Sequence, residues 1–226
     1  MKTTARVLIL VLICAVGFAG PLKIATVKFP DINCKFDTDC TITVSDKATN
    51  FTLPGATGAA FLQSRLWPKG QAGTPGANLY AYLYRIDVRQ PAAVTNVPCV
   101  TSMTIDFGPI KSMDYDGDGQ LDQVFVATQG GLGTIAPVSA TQVGTKVTLV
   151  FSPGVCAGAM PGGGKSSYFI GMTSKQPHRT IDANLKTNTG ATLILAAYAP
   201  LAAPPPAPTN VPSSRRPPQS STQGKR

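Results

Sequence analysis

Short apolar runs, separated by Gly, Pro, Asn and Asp, follow one another through the middle of the chain. Such runs are typical of β-strands joined by turns, and the β-branched residues within them fit a pleated sheet better than a helix. The pattern therefore predicts an all-β fold. Eleven strands are expected, at 22–29, 41–45, 60–67, 79–88, 99–107, 123–128, 134–139, 146–152, 168–174, 179–185 and 191–198.

The strand predicted at 79–88 indicates how the sheets are covered. Tyr80, Tyr82 and Tyr84 share one of its faces, and apolar residues occupy the other face up to Leu83. Because side chains alternate between the two faces, this strand is expected to be central and buried on both sides. These features predict an antiparallel β-sandwich, immunoglobulin-like or jelly-roll-like, with long Gly- and Pro-rich loops.

Two aromatic features each allow two interpretations. The tyrosine stripe either packs inside the sandwich with its hydroxyl groups bonded or forms a stacking platform for sugars or bases. Trp67, the only tryptophan, lies at the end of a predicted strand and precedes a Gly- and Pro-rich loop. It is predicted either to pack as a core or loop anchor or to serve as a ligand platform.

The first residues have the pattern of a secretory signal peptide. Lys2 and Arg6 supply a positive start, residues 7–16 form an apolar run, and small residues precede a cleavage position after Ala19. The run is too short for a membrane anchor, which needs roughly 20 apolar residues. Residues 1–19 are therefore predicted to be removed. The mature chain is expected to be secreted, extracellular or periplasmic, without a transmembrane anchor.

The other end has a different composition. Residues 203–226 are rich in proline and basic residues and contain almost nothing to bury, so they are predicted to form a disordered tail. The remaining part, 20–202, is predicted to be a single β-sandwich domain. Without the basic residues of both ends, the net charge of +9 falls to roughly +3, which does not indicate a nucleic-acid partner.

The cysteines predict a disulfide framework. Removal of the signal peptide takes Cys14 away and leaves Cys34, Cys40, Cys99 and Cys156, an even number in an oxidising compartment. Three connectivities are open, and the short spacing favours Cys34 with Cys40 and Cys99 with Cys156. A zinc site is disfavoured because there is no C-x-x-C pair and only one histidine.

The clearest chemical motif is an aspartate-rich loop between two predicted strands. Calcium prefers six to eight oxygen ligands, and alternating carboxylates converge on one ion when the chain coils tightly. The predicted side-chain ligands are Asp114, Asp116 and Asp118. Gln120 is expected to contribute its backbone carbonyl, and Asp122 to bind directly or through water.

Other residues of the same loop support this interpretation. Gly117 and Gly119 permit the tight coil, and Leu121 is expected to point inward as a hydrophobic anchor. The alternative is a metal-free Asp-Gly hairpin turn. The carboxylates favour a cation, because two of them 4 Å apart repel by about 4 kcal/mol at an effective dielectric constant of 20.

Residues 114–122 resemble the calcium loops of EF-hands, dockerins, thrombospondin type 3 repeats and integrin-type FG-GAP repeats, which share D-x-[DN]-x-[DN]-G-x-x-D. The twelfth position, however, is Phe125 rather than the bidentate glutamate of an EF-hand, and the flanks read as strands. The resemblance is therefore greater to FG-GAP loops. It implies a structural calcium ion and no helix-loop-helix sensor.

Together these features predict an exported, non-catalytic protein stabilised by calcium and disulfides. A surface-binding module, or a structural or adhesion module of an envelope, is expected, with a surface glycan or an envelope protein as partner. The alternative is a secreted calcium-dependent hydrolase that acts on polysaccharide. Without glutamate, its acids would be aspartates such as Asp87, Asp106 and Asp182. Two aspartates facing each other across a pocket beside Trp67 would favour the hydrolase.

Overall fold

A computed structural model describes residues 20–202, which form two six-stranded β-sheets packed face to face. The predicted signal peptide, 1–19, and the predicted tail, 203–226, lie outside the described residues. A short 3-10 helix spans Asp31–Lys35. The strands are β1 (Gly20–Pro21), β2 (Ile24–Lys28), β3 (Ser45–Phe51), β4 (Ala60–Trp67), β5 (Tyr80–Asp87), β6 (Cys99–Asp106), β7 (Val124–Gln129), β8 (Ser139–Val143), β9 (Lys146–Cys156), β10 (Phe169–Ser174), β11 (His178–Thr187) and β12 (Thr192–Pro200).

The two sheets confirm the predicted all-β sandwich. The first sheet has the order β1-β8-β9-β6-β11-β12, and the second sheet has the order β2-β7-β10-β5-β4-β3. Neighbouring strands are antiparallel with one exception, because β2 runs parallel to β7. This parallel pair puts β2 beside the strand that follows the aspartate-rich loop.

Two of the predicted strands are wrong. In place of a strand at 41–45, the chain forms β3 at Ser45–Phe51, an edge strand with polar side chains whose pairing the apolar pattern does not reveal. The segment before it is held as a turn, since the Asp37 carboxylate accepts hydrogen bonds from the backbone of Asp39 and Thr41. In place of a strand at 134–139, β8 begins only at residue 139.

The main core lies between the sheets. It receives Met103 and Leu149 from the first sheet and Tyr84 and Val126 from the second sheet, all of them buried. Tyr82 and Tyr84 donate their hydroxyl hydrogens to the backbone oxygens of Gln176 and Tyr198, at 2.8 and 2.7 Å. Tyr82 and Tyr84 are therefore core residues with satisfied hydroxyl groups, and burial raises the pKa of both phenols. Tyr80 is partly buried and packs against the same core.

A second core covers the outer face of the second sheet. Leu83, Trp67, Phe125 and Phe169 project from this face, and the 3-10 helix segment packs over them through residues such as Phe36. The second sheet is therefore buried on both sides, as the sequence of β5 predicts. Gly171 of β10 makes room for Phe125, because a Cβ atom there would lie 2.0 Å from the Phe125 ring.

Both cysteine pairs favoured by the sequence lie at disulfide distance. Cys34 and Cys40 close the turn that follows the 3-10 helix. Cys99 and Cys156 join β6 to β9, where they are directly opposite each other in the strand register. Within residues 20–202, no helix is long and apolar enough to cross a membrane.

Replacing Cys99 and Cys156 with serine is expected to cost more stability than replacing Cys34 and Cys40. In a chain-entropy treatment, the sequence separation of 57 corresponds to about 4 kcal/mol and the separation of 6 to about 2 kcal/mol. Urea unfolding of the two double variants measures both losses. Equal losses would contradict the entropic account.

Candidate metal site and arginine-lined cleft

The aspartate-rich loop lies where the chain crosses from one sheet to the other. It follows β6 of the first sheet and precedes β7 of the second sheet. Its base is closed by two backbone hydrogen bonds of 3.0 Å between Met113 and Asp122. The loop is thus a closed crossover connection.

The loop coils tightly around its own carboxylates. Gly117 and Gly119 adopt φ angles of 87° and 84°, a left-handed conformation that other residues rarely take. Both glycines donate their backbone N–H groups to the Asp114 carboxylate, at 2.6 and 3.1 Å. The glycines therefore have the role that the sequence predicts.

This coil brings three of the predicted ligands together. Asp114, Asp116 and Asp118 each offer a carboxylate oxygen, and the three atoms lie within 4.8 Å of one another. Oxygens bound to one calcium ion at about 2.4 Å lie no more than about 4.8 Å apart. The separation therefore fits a shared calcium ion.

The other two predicted ligands lie outside this group of three. Gln120 accepts a hydrogen bond through its side chain from the Lys23 ammonium at 3.0 Å, and its backbone N–H donates to Asp118 at 2.7 Å. Asp122 is buried, and its Oδ2 atom has no hydrogen-bond partner among the described residues. Its burial and the negative charges of Asp116 and Asp118 raise the pKa of the Asp122 carboxyl.

Leu121 does not anchor the loop. Its side chain is 61% exposed, so the prediction that it points inward is wrong. Tyr115 takes that role, because its ring packs against Phe125 at 4.8 Å and its hydroxyl lies 2.9 Å from the Thr173 hydroxyl. The hydrogen-bonded base and the tight coil therefore turn the Tyr115 side chain, and not the Leu121 side chain, toward the second core.

The donor set matches the chemistry of a hard cation. All the converging atoms are carboxylate oxygens, which calcium prefers, whereas zinc and copper sites use histidine or cysteine. Positive charge near the loop comes from Lys23 and from Lys35, whose Nζ atom lies 3.8 Å from the position of a Cβ atom at Gly117. The residues present therefore fit calcium.

Trp67 packs in the second core. It is 1% exposed, and its ring meets Phe36 edge-on with the ring centroids 5.2 Å apart. Its Nε1 atom has no hydrogen-bond partner among residues 20–202. The side chain also lines a cleft of about 460 Å³. Trp67 is therefore both a core residue and part of a cleft wall.

This cleft opens on the outer face of the second sheet. Besides Trp67, it is lined by Phe29, Asn33, Ile42, Val44, Gln63, Arg65, Arg85, Gly130, Gly131, Leu132 and Phe169. We call it the arginine cleft. Its lining combines aromatic and aliphatic side chains with two guanidinium groups.

The arginines belong to a chain of ion pairs. Arg65 binds the Asp46 carboxylate through Nε and Nη2, both at 2.7 Å. Arg85 binds Asp87 at 2.8 Å, and Arg89 binds the same carboxylate at 2.6 Å. Gln63 joins the two pairs, since it accepts from Arg85 at 3.0 Å and donates to Asp46 at 2.9 Å.

The Asp87 carboxylate is buried inside this network. Burial alone disfavours its charge, but the hydrogen bonds from the Arg89 side chain and backbone and the positive charge of Arg85 outweigh it. The pKa of Asp87 is therefore held below its usual range. Asp87 is an ionised structural group held between two arginines.

The arginine cleft is the part of the site that the sequence interpretation missed. One signal was present: Arg85 and Asp87 lie on the outer face of a strand that was expected to be buried on both sides. Buried charges of this kind are paired or functional. The sequence gives no indication that Phe169 lines the cleft, because its strand, β10, reaches the cleft only through sheet pairing with β5.

Comparison with protein-family models, curated proteins and solved structures gives no match for this chain.

Replacing Tyr115 with alanine is expected to cost about 3 to 5 kcal/mol in the free energy of unfolding, because a buried aromatic anchor is lost. Leu121→Ala is the matched control from the same loop and is expected to change it by less than about 0.5 kcal/mol. Urea unfolding measures both values. A larger loss for Leu121→Ala would contradict the assignment of the anchor.

Replacing Asp87 with asparagine is expected to destabilise the protein by about 3 kcal/mol at neutral pH, because Arg85 remains buried without its full counter-charge. The pKa of the folded carboxyl is lowered, so its stabilisation is present above the ordinary value of 3.8 and disappears as the pH falls below it. The difference between wild type and variant should therefore shrink in acid. Unfolding curves at neutral and acidic pH measure this change.

Asp106→Asn is the control for that prediction. Asp106 pairs with Arg179 at 3.0 Å, but its side chain is 41% exposed. Loss of an exposed pair is expected to cost under about 1 kcal/mol. If both variants lost equal stability, the burial argument for Asp87 would be wrong.

Proposed function

We propose that this chain is an exported, non-catalytic β-sandwich binding protein, stabilised by disulfides and by a calcium ion in the loop at 114–122. The observation that carries the proposal is the convergence of Asp114, Asp116 and Asp118 within 4.8 Å. The Oδ2 atom of Asp122, which is buried and has no hydrogen-bond partner among residues 20–202, also favours a cation in this loop.

Electrostatics supports a bound cation. The carboxylates of Asp116, Asp118 and Asp114 all act on Asp122, and the Lys23 ammonium opposes them only in part. Such crowding is costly in a partly buried loop, because like charges about 4 Å apart repel by several kcal/mol at reduced dielectric. A divalent ion among these oxygens removes that repulsion.

The position of the loop supports a structural role for the ion. The loop joins β6 and β7, which belong to different sheets, and it inserts Tyr115 into the second core. A cation that holds the coil therefore also holds the crossover and one wall of that core. Calcium affinity is expected near 0.1 to 1 mM, as in extracellular modules.

Export is supported by the cysteines and by the predicted signal peptide at 1–19. Both cysteine pairs lie at disulfide distance, and disulfides persist in oxidising compartments. Extracellular fluids also supply calcium at concentrations that would fill a site of this affinity. The proposed partner is a surface glycan or an envelope protein.

The chemistry of the arginine cleft supports binding over hydrolysis. A glycosidase of the usual type needs one carboxylic acid and one carboxylate across the scissile bond. The groups at this cleft are instead guanidinium and aromatic, and Asp87 behind them is kept ionised by Arg85 and Arg89. Such groups hold a ligand but do not supply a proton at neutral pH.

Calcium is expected to raise the thermal midpoint of the wild-type protein relative to chelator. At calcium concentrations about 10 to 100 times the dissociation constant, linkage contributes about 1.4 to 2.7 kcal/mol, or about 3 to 10 °C for a domain of this size. The double variant Asp116→Ala, Asp118→Ala should lose this response. Calorimetry in calcium and in chelator measures both midpoints.

The matched control is Asp39→Ala, Asp182→Ala, which removes the same charge from two exposed positions outside the loop. It should retain the full calcium response. An equal response to magnesium, or a wild-type midpoint insensitive to calcium, would reject the calcium site.

A further inference from the structure

The arginine cleft contains two guanidinium groups with free hydrogen-bonding capacity. Arg65 uses Nε and Nη2 for Asp46, and Arg85 uses Nε and Nη1 for Gln63 and Asp87. Within residues 20–202, Nη1 of Arg65 and Nη2 of Arg85 have no hydrogen-bond partner. Each arginine therefore keeps donors for a ligand.

The two guanidinium groups lie close together on one face. Arg65 on β4 and Arg85 on β5 project from the outer face of the second sheet, and Arg85 is paired with Gln63, two residues from Arg65. Both stack near the ring of Phe169, with their Cζ atoms 4.6 and 5.5 Å from its centroid. The two guanidinium groups therefore share one aromatic neighbour in the cleft.

The charge of this network is not balanced. Arg65, Arg85 and Arg89 face only two carboxylates, Asp46 and Asp87, so the network keeps one positive charge. Arg85 is 4% exposed. A buried guanidinium beside an excess of positive charge favours an anionic ligand, and a carboxylate can accept parallel hydrogen bonds from it.

The opposite walls of the cleft are apolar. Ile42 and Phe29 are partly buried, while Val44 and Leu132 are 37% and 51% exposed. Val44 and Leu132 line the cleft together with Gly131 and are the most exposed of its apolar side chains. They gain free energy if a ligand removes their apolar surface from water.

We propose that the arginine cleft binds a small organic carboxylate with an apolar body. Arg65 and Arg85 hold the carboxylate, and the body lies against the aliphatic rim at Val44 and Leu132. The carboxylate is a second ligand beside the surface glycan or envelope protein proposed above, and the proposal rests on that non-catalytic binding role. The volume of about 460 Å³ suits a ligand of this size.

A sugar acid fits the cleft less well. Sugar rings stack on exposed aromatic faces, but Trp67 and Phe169 are only 1% and 4% exposed. The surfaces that remain open to a ligand body are aliphatic side chains such as Val44 and Leu132. A ring rich in hydroxyl groups gains little from these aliphatic surfaces, because they offer it no hydrogen bonds.

Trp67 provides a specific readout, because it is the only tryptophan and lines the cleft. The full chain, with its disulfides formed and calcium present, is titrated with hydrocinnamate, with its neutral amide hydrocinnamamide, and with glucuronate. Tryptophan fluorescence and calorimetry follow binding. Hydrocinnamate should bind saturably and at least about ten-fold more tightly than either other compound, since charge-assisted hydrogen bonds and apolar contact are both needed.

Two variants locate the site. Arg65→Gln should weaken hydrocinnamate binding about ten-fold, whereas Arg179→Gln, which removes an arginine from another partly exposed ion pair, should leave it unchanged. Leu132→Asp places a negative charge at an exposed rim position and should also weaken binding. Val138→Asp, exposed beside the first sheet, is its control.

Several results would overturn the proposal. An absence of saturable hydrocinnamate binding would reject it, because the cleft then does not bind the ligand. The proposal is also wrong if hydrocinnamamide or glucuronate binds as tightly as hydrocinnamate, or if Arg65→Gln and Arg179→Gln weaken hydrocinnamate binding equally. Thermal midpoints of all variants are recorded so that a loss of fold is recognised; Leu132→Asp, at an exposed position, still tests the site if Arg65→Gln unfolds.

The calcium response is measured on the same samples. Hydrocinnamate binding that follows the predicted pattern without a calcium response rejects the metal site and supports the ligand site. A calcium response without hydrocinnamate binding supports the metal site and rejects the ligand site. The two proposals can therefore fail separately.

Discussion

Burial of the outer face of the second sheet is the constraint on which the other features depend. Phe125, Trp67 and Phe169 project from this face, and a sandwich of two sheets alone would leave them in water. Aromatic side chains of this size contribute several kcal/mol each when they are buried. The chain meets this need with segments that lack regular strands, and Gly171 leaves the space in which the Phe125 ring lies.

Two cross-linked or coiled segments provide that cover. The 3-10 helix region, closed by Cys34 and Cys40, lays Phe36 against Trp67, and the aspartate-rich loop inserts Tyr115 beside Phe125. Such segments have little regular hydrogen bonding of their own, so a disulfide or a cation can reduce the entropy cost of ordering them. The proposed calcium ion and the short disulfide thus serve the same purpose at the two sides of one core.

The arginine cleft is a consequence of the same arrangement. The cover leaves a cleft beside β4 and β5, where Arg65 and Arg85 occupy outward positions. Arg85 is buried all the same, and its charge is stabilised by Asp87, which Arg89 shares. The incomplete cover therefore leaves a cleft with aromatic and aliphatic walls and one unbalanced positive charge. Ligand-binding sites commonly combine apolar walls with a few polar or charged groups in this way.

The sequence by itself determined the all-β class, the central position of β5, the preferred cysteine pairing and the convergence of Asp114, Asp116 and Asp118. These are local properties: alternation with period two, short spacings, and glycines that permit a tight coil. Only the tertiary structure decided that Leu121 faces solvent, that β3 pairs through a polar edge, and that Arg65 joins Arg85 in one cleft. Pairing between distant strands and the burial of an outer sheet face depend on contacts that no local pattern encodes.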